Sequence, residues 1–213
     1  AKVLNLLTKG SMNHLVHQLK KTPEQHFTEI AQSIAYAQEK GIAVNVYLED
    51  WSNGMRNSMN YTMDLIGVLV QLQVRRIMLP DTLGLLNPRE VSHFLKLITS
   101  EYPDTHFDFH AHNDYDLSVA NVLEAIYNGV GGIHTTVNGL GERAGNAPLE
   151  STVAVINDFL PQIKINVKES SLYSVSKLVE TFTGYRIPAN KPIVGDNVFT
   201  QTAGIHADGD NKN

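Results

Sequence analysis

A short apolar segment followed by an amphipathic helix occurs five times along this chain, and that rhythm constrains its fold more than any other feature. The five apolar segments, each predicted to be a strand, are Val3–Leu7, Ala43–Leu48, Arg76–Leu79, residues 105–110 and residues 132–137. Strands that alternate with helices are typical of βαβ units, and such units form parallel sheets. The sequence therefore predicts an α/β protein built on a parallel sheet.

Two of the predicted helices carry specific start signals. Thr22 stands before Pro23 and has Gln25 three residues after it, which is the pattern of a capping box with proline at the first helical position. A second helix repeats this pattern at Asn87, Pro88 and Glu90. The residues between Leu48 and Met59 carry no such signal, and we expect a polar loop there.

The two faces of the strands distinguish a closed sheet from an open one. Successive side chains of a strand point to opposite sides, so His106, Asp108 and His110 share one face while Phe107 and Phe109 share the other. A doubly wound open sheet needs apolar residues on both faces, whereas these strands keep one face polar. The pattern favours a (β/α)8 TIM barrel, whose site lies at the carboxyl ends of its strands. The other residues assigned to the inner face are Asn5, Leu7, Asn45, Tyr47, Glu49, His112, His134, Thr136 and Asn138.

An eight-stranded barrel needs about three strands more than this sequence provides. We therefore expect residues 1–165 to form a partial TIM-barrel catalytic domain of about five C-terminal βα units, in a chain that begins in the middle of a domain. Residues 166–213 are predicted to hold one helix, at about residues 171–182, and then an extended linker rich in Pro, Gly and Asn.

Composition excludes several classes of function. The net charge of −5 offers no basic surface for nucleic acid, and no apolar run reaches the roughly 20 residues of a membrane helix. The chain has no cysteine, so disulfides and thiolate metal sites are not available to it. We expect neither a nucleic-acid partner nor a membrane partner.

The stretch FHAHND places His110 and His112 two residues apart at the end of a predicted strand. Side chains at that spacing project to the same side, which suits two ligands of one cation. The alternative is one hydrogen-bonded barrel histidine and one loop histidine, which is the commoner meaning of an isolated His-x-His pair. Asn113 and Asp114 follow at once, and this context favours the metal site.

Four further stretches carry candidate residues. In NGLGERAGN three glycines allow close backbone approach to a ligand, and Asn146 is either a helix cap or an oxygen ligand. Glu49 in YLEDW is a proton-transfer or orienting carboxylate, or a solvated loop residue. Thr82 in LPDTLG binds a carboxylate, or shares a turn with its neighbours. His206 in TAGIHADGD is an exposed loop residue, or a general base on a mobile segment.

Together these motifs resemble those of the metal-dependent 2-isopropylmalate, citramalate and homocitrate synthases. The resemblance covers essentially the whole chain in the family's order, from the fourth barrel strand into the segment after the eighth, and is closest to citramalate synthase. It implies condensation of acetyl-CoA with a small 2-keto acid, followed by hydrolysis of the thioester. Pyruvate giving (R)-citramalate for isoleucine biosynthesis is the first expectation, and 2-ketoisovalerate giving 2-isopropylmalate for leucine biosynthesis is the alternative.

The resemblance also assigns roles to residues. It implies a divalent metal (zinc, manganese or magnesium) and a cytoplasmic homodimer in which the C-terminal segment reaches the partner's barrel. The implied metal ligands are His110, His112 and Asn146. The implied substrate-binding residues are Leu7, Tyr47 and Thr82, where Leu7 and Tyr47 favour a substituent as small as a methyl group. The implied catalytic residues are Glu49, His206 and Asp208.

One departure from the family is serious. The family's first strand carries an Asp-x-Thr-x-Arg-Asp-Gly motif, which supplies a metal-binding Asp and a catalytic Arg, and this motif does not occur here. We therefore expect this chain alone to be inactive. Two other classes remain open: an acyl-CoA lyase running the reverse cleavage, which generally relies on a cysteine-bearing loop, and an inactive or regulatory fragment of such an enzyme.

Overall fold

The computed structural model describes residues 1–198 and 200, and within them five parallel strands form one sheet in the order β1-β2-β3-β4-β5. The strands are β1 Val3–Lys9, β2 Ala43–Glu49, β3 Arg76–Asp81, β4 Phe107–Ala111 and β5 Gly132–His134. A sequential order with a helix in every crossover is the arrangement of a TIM-barrel wall. The predicted partial barrel is confirmed, and the strands begin and end within a few residues of the predicted positions.

Helices follow every strand. They are α1 Met12–His14, which continues as a π-helical turn Leu15–Leu19, then α2 Pro23–Glu39, α3 Trp51–Asn57, α4 Met59–Gln71, α5 Pro88–Glu101, α6 Ser118–Tyr127, α7 Leu149–Phe159 and α8 Leu172–Thr183. Both predicted capping boxes are formed. The Thr22 hydroxyl accepts from the Gln25 N–H at 3.3 Å, and the Asn87 side chain accepts from the Glu90 N–H at 3.1 Å.

The prediction of a polar loop after β2 is wrong for Trp51–Asn57, because these residues form helix α3. Trp51 and Met55, one turn apart, are both fully buried, and the Trp51 ring packs edge-on against Phe94 and Phe109. Gly54 lies between them, where a Cβ would come within 2.1 Å of the Gly10 carbonyl oxygen. Tertiary packing therefore stabilises α3, a helix that the local sequence pattern does not predict.

The sheet separates an apolar outer face from a polar inner face, as strand parity predicts. Val46, Leu48, Phe107 and Phe109 point to the helices and are fully buried. On the inner face Tyr47 of β2 bonds to His134 of β5, with 3.1 Å between the Tyr47 Oη and His134 Nδ1 atoms. Two other strands stand between β2 and β5, so this contact requires a sheet curved around its polar face.

The helix predicted near residues 171–182 is present as α8 and packs back onto the barrel. Leu172 and Val194 are buried in a small cluster with Val153 of α7. A domain boundary at residue 165 therefore stays a prediction. In the part of the chain that the structure describes, no helix has the length and apolar character needed to cross a membrane.

Candidate active site

His110 and His112 lie side by side at the carboxyl end of β4. Their Nε2 atoms are 3.3 Å apart. β4 ends at Ala111, and His112 keeps the extended direction because it pairs with Asn146 in an antiparallel bridge. Two nitrogen ligands about 2.1 Å from one ion, at a tetrahedral angle, lie about 3.4 Å apart. The spacing of the two rings therefore matches that of ligands to one cation.

The loop from Asn138 to Asn146 brings Asn146 against this pair. Gly145 has a φ of 86°, and a Cβ there would lie 2.0 Å from the Gly139 carbonyl oxygen, so this turn requires glycine. The alternative role of Asn146 as a helix cap is wrong, because Pro148 occupies the position before α7. The Asn146 amide donates to the Leu140 carbonyl at 2.9 Å, and its Oδ1 atom is buried with no hydrogen-bond partner among the described residues.

Burial keeps both imidazoles neutral. Burial, together with the neighbouring His112 and His134, lowers the pKa of His110 to about 4. Burial also lowers the pKa of His112, and the Arg143 guanidinium adds to the effect. A neutral imidazole keeps the lone pair that a metal ligand needs, so both rings remain available as metal ligands near neutral pH.

These residues fit a divalent cation of borderline softness. The two imidazoles and the unpartnered Asn146 oxygen are donors that zinc or manganese accepts. Within residues 1–198 and 200, no group of three or more His, Cys, Asp or Glu side chains is placed to hold a metal ion. The cluster of His110, His112 and Asn146 therefore supplies three donors without a carboxylate.

Thr82 and Glu49 lie on the neighbouring strand ends. The Thr82 Oγ1 atom accepts from the Asp50 N–H at 2.9 Å, which fixes the oxygen and leaves its own proton free to be donated. Glu49 ends β2 and forms an ion pair with Lys9, its partner across the β1–β2 ladder. The structure thus places Glu49 beside a cation on β1, whereas His110 and His112 are on β4.

A salt bridge that sequence reasoning missed ties three of these loops together. Arg143 donates from Nε and one terminal nitrogen to the Asp114 carboxylate at 2.8 and 2.9 Å, and donates again to the Thr82 carbonyl at 2.9 Å. The loops after β3, β4 and β5 are therefore held against one another around the His110–His112 pair. The sequence signal was present in NGLGERAGN, since a charged residue inside a glycine-rich loop needs a partner.

The inner face also holds a network of hydrogen bonds for which the sequence offered no specific partners. His134 Nε2 lies 3.2 Å from Asp108 Oδ2, and His106 Nε2 lies 2.8 Å from Asp108 Oδ1. Arg76 reaches the same carboxylate at 3.3 Å. Burial raises the pKa of Asp108, but hydrogen bonds from His134 and His106 outweigh it and hold the pKa at about 2. Through the bond from Tyr47 to His134, this network extends to the predicted substrate pocket.

Three predicted site residues have no contact with the His110–His112 pair in the part of the chain that the structure describes. His206 and Asp208 lie outside the described residues. Leu7 pairs with Tyr47 across the β1–β2 ladder, as both were assigned to one face, and Leu7 is 62% exposed. Leu7 and Tyr47 are therefore neighbours on the inner face of the sheet.

Comparison with known sequences gives consistent matches. The HMGL-like family model matches residues 1–179. A probable 2-isopropylmalate synthase from Ignicoccus hospitalis is 38% identical over 206 residues, covering 97% of this chain and 51% of that protein. A homocitrate synthase from Saccharolobus islandicus is 39% identical over 196 residues, covering 92% of this chain and 41% of that protein. The chain thus spans about half the length, or less, of these relatives.

Solved structures with a similar fold include two HMG-CoA lyases. An HMG-CoA lyase from Acinetobacter baumannii, solved in complex with coenzyme A and 3-methylmalate, aligns with a TM-score of 0.75 at 22% identity, covering 95% of this chain and 68% of that one. The Bacillus subtilis HMG-CoA lyase aligns with a TM-score of 0.76 at 22% identity, covering 89% and 66%. At this identity the likeness shows the fold alone.

Proposed function

This chain belongs to the HMGL-like family, and on that premise we propose that the protein carrying it condenses acetyl-CoA with a small 2-keto acid and releases CoA as a free thiol. Pyruvate is the proposed keto acid and (R)-citramalate the product. Relatives named 2-isopropylmalate synthase and homocitrate synthase, at 36–39% identity, support a synthase of this kind. The enzyme is thus an acyltransferase of amino-acid biosynthesis.

The observation that carries the proposal is the cluster of His110, His112 and Asn146. It presents two neutral imidazoles, and one amide oxygen with no hydrogen-bond partner in the part of the chain that the structure describes, at the open end of the barrel wall, where TIM-barrel enzymes build their sites. These residues would hold a divalent metal, which would supply Lewis acidity toward the keto oxygen of the substrate. The family resemblance places a carboxylate ligand on a strand that is not among residues 1–213.

The remaining residues are proposed to bind and orient the keto acid. The Thr82 hydroxyl, whose proton the bond from Asp50 leaves free, donates a hydrogen bond to the substrate carboxylate. Glu49, at the end of β2, is proposed from the family resemblance to lie beside the reacting carbon. His206, with Asp208 next to it, is proposed as the base that removes a proton from the acetyl methyl group. The enolate so formed attacks the keto carbon, the C=O π electrons move to the keto oxygen, and that oxygen takes up a proton to become the hydroxyl of the product. Water then cleaves the thioester to free CoA.

Two adjacent residues set the size of the keto-acid side chain. Leu7 and Tyr47 face each other across the β1–β2 ladder, and the Tyr47 ring is fixed by its bond to His134. A fixed aromatic ring beside a leucine leaves space for a methyl group and disfavours a branched substituent. The relative named 2-isopropylmalate synthase from Ignicoccus hospitalis keeps 2-ketoisovalerate as the second candidate substrate.

From the family resemblance we further propose a cytoplasmic homodimer in which the segment after α8 reaches the barrel of the second copy. The same resemblance assigns residues 166–213 to a unit that follows the barrel.

The test is a panel of 2-keto acids offered to the intact protein with acetyl-CoA and a divalent metal, with release of CoA thiol as the readout. We expect thiol release that requires the keto acid and that is fastest with pyruvate. A preference for 2-ketoisovalerate would transfer the assignment to 2-isopropylmalate synthesis. The absence of any keto-acid-dependent thiol release would refute the synthase proposal.

A further inference from the structure

Asn138, Glu150 and Ser176 form a buried polar cluster that joins the loop of residues 138–146 to helices α7 and α8. Their exposed fractions are 8%, 1% and 0%. The Asn138 side-chain amide donates to the Ser176 carbonyl at 3.0 Å, and its oxygen accepts from the Ser176 hydroxyl. The Asn138 backbone N–H donates to the Glu150 carboxyl group at 3.0 and 3.2 Å. None of the three residues takes part in the proposed condensation, so the cluster needs another explanation.

The direction of these hydrogen bonds does not depend on any protonation state. A backbone carbonyl can only accept, so the atom that faces the Ser176 carbonyl is the Asn138 amide nitrogen. The Asn138 side-chain oxygen therefore faces the Ser176 hydroxyl and accepts a hydrogen bond from it. A backbone N–H can only donate, so Glu150 accepts from Asn138. The cluster thus fixes both the backbone and the side chain of Asn138.

Asn138 has the left-handed backbone conformation, with a φ of 62° and a ψ of 7°. Few residues other than glycine adopt it, and asparagine is among those that do so most readily. The two residues that follow this turn hold Asn146. The Gly139 carbonyl accepts from the Asn146 N–H at 3.0 Å, and the Leu140 carbonyl accepts from the Asn146 side-chain amide at 2.9 Å. The orientation of Asn146 therefore depends on the conformation of Asn138.

The side chain of Asn146 has little space in which to move. A Cβ on Gly141 would lie 2.2 Å from the Asn146 Nδ2 atom, so the loop backbone packs directly against the amide group. The backbone of Asn146 also pairs with His112 in the antiparallel bridge. A displacement of the loop at Asn138 would therefore move the Asn146 oxygen relative to His110 and His112.

We propose that Asn138 is a positioning residue: anchored by Ser176 of α8, it keeps Asn146 in place as a ligand of the proposed divalent cation. Helix α8 follows the last strand of the sheet, and through Ser176 it supports the loop that carries this ligand. The metal site therefore depends on a helix that contributes no ligand to it. This inference rests on the proposed function, because it concerns the ligand set of the same metal site.

The test titrates the metal-free intact protein with Co²⁺, with calorimetry for the affinity and visible absorption for the ligand set. Asn138→Gly allows the same backbone conformation but removes the link to α8, and Ser176→Ala removes only the hydroxyl. We expect Asn138→Gly to weaken Co²⁺ binding about tenfold or more and to shift the absorption bands. Ser176→Ala should act in the same direction but less, since one of the two side-chain bonds remains. The double variant should equal Asn138→Gly, because both changes break the same link.

Matched variants separate positioning from general damage. Ser174→Ala makes the same change on the exposed face of α8, and Lys20→Gly replaces another left-handed residue, with a φ of 55°, on an exposed turn. Both should leave the Co²⁺ affinity and spectrum unchanged. Gly141→Ala, which displaces the Asn146 amide directly, should weaken binding at least as much as Asn138→Gly. Unchanged affinity and spectrum in both Asn138→Gly and Ser176→Ala, or an equal loss in the two control variants, would overturn the inference.

Hydrogen exchange in the metal-free protein tests the positioning without metal or turnover. Residues 138–146 should exchange faster in Asn138→Gly than in the unmodified protein, whereas α2 should exchange at the same rate. If α2 also exchanges faster, the variant is generally destabilised, and Ser176→Ala then decides. If the unmodified protein binds Co²⁺ but no keto acid supports thiol release, the proposed function fails, and the titrations still decide the role of Asn138. Failure of the unmodified protein to bind Co²⁺ would overturn both.

Discussion

Asp81 illustrates how one buried carboxylate can shape the end of a strand without touching a substrate. It is fully buried and accepts from the Leu85 and Leu86 N–H groups at 3.0 and 2.9 Å. Burial raises its pKa, and these hydrogen bonds act in the opposite direction. Of the two meanings left open for LPDTLG, the turn role is confirmed for Asp81, while the Thr82 hydroxyl keeps a free proton for a ligand.

At the residue scale, the alternation of side chains along a strand predicts which of them share a face of the sheet, but not which of them come into contact. His110 and His112 follow from the two-residue period of a strand, and the structure places them together. The bond from His134 to Tyr47 does not follow from that period, because it depends on how strongly the sheet curves between β2 and β5. Curvature is set by strand tilt and stagger, which a single sequence does not report.

Replacing His112 by alanine tests the metal site at this scale. We expect His112→Ala in the intact protein to lose thiol release about a hundredfold or more, because one of two imidazole donors is removed. Metal titration by calorimetry should show a matching loss of affinity. His93→Ala, an exposed helix histidine, is the control and should leave both unchanged. Full turnover by His112→Ala would remove the metal role from this cluster.

At the element scale, the helix starts that capping residues mark could be predicted from the sequence. Helix α3, which is stabilised by tertiary packing, could not. The boxes at Thr22 and Asn87 are local, so the sequence contains all of their partners. Helix α3 depends on contacts of Trp51 with Phe94 and Phe109, which lie far away in the chain. Asn146 is the opposite case. The local sequence allows it to cap a helix, but its side-chain amide donates to the Leu140 carbonyl instead.

The cap of α5 gives a stability prediction. Asn87→Ala removes the side-chain acceptor of the Arg89 and Glu90 N–H groups, and should lower the free energy of unfolding by about 1 kcal/mol. Ser100→Ala changes an exposed position near the other end of the same helix and should be close to neutral. Denaturant unfolding of the two variants measures both values. Equal stability of Asn87→Ala and the unmodified protein would show that the box contributes nothing.

The contact between β4 and β5 gives a second prediction. Gly132→Ala forces a methyl group against the Asp108 carboxylate, 2.0 Å away at Oδ1, and should destabilise the protein by about 1–3 kcal/mol. If that contact is the cause, the Gly132→Ala/Asp108→Ala double variant should lose about 1 kcal/mol less stability than the sum of the two single losses. Thermal unfolding of the three variants gives the comparison. Strict additivity would mean that the cost of Gly132→Ala arises elsewhere.

At the scale of the whole molecule, five βα units bring together the two imidazoles of the proposed metal site without a carboxylate ligand beside them. Within the described residues the proposed metal ligands are His110, His112 and Asn146. From the family resemblance, the protein carrying this chain is expected to contain a further strand with the Asp-x-Thr-x-Arg-Asp-Gly motif. That strand would add an anionic ligand and close the polar face seen in the curved sheet.

The expectation has a direct test. Residues 1–213 on their own should bind a divalent metal about a hundredfold more weakly than the intact protein, and should not release CoA thiol. Circular dichroism of the isolated chain is the control that shows whether it keeps its helices. If the folded isolated chain turns over acetyl-CoA as fast as the intact protein, no further ligand is needed.

The proposed condensation forms a new carbon–carbon bond between the acetyl methyl carbon and the keto carbon of a small 2-keto acid. Acetyl-CoA labelled isotopically at the methyl carbon, incubated with pyruvate, metal and the intact protein, follows that bond by NMR. We expect the label to appear in a methylene group of citramalate, in step with the release of CoA thiol. Label found only in acetate, or left in acetyl-CoA with every keto acid tested, would rule out the condensation.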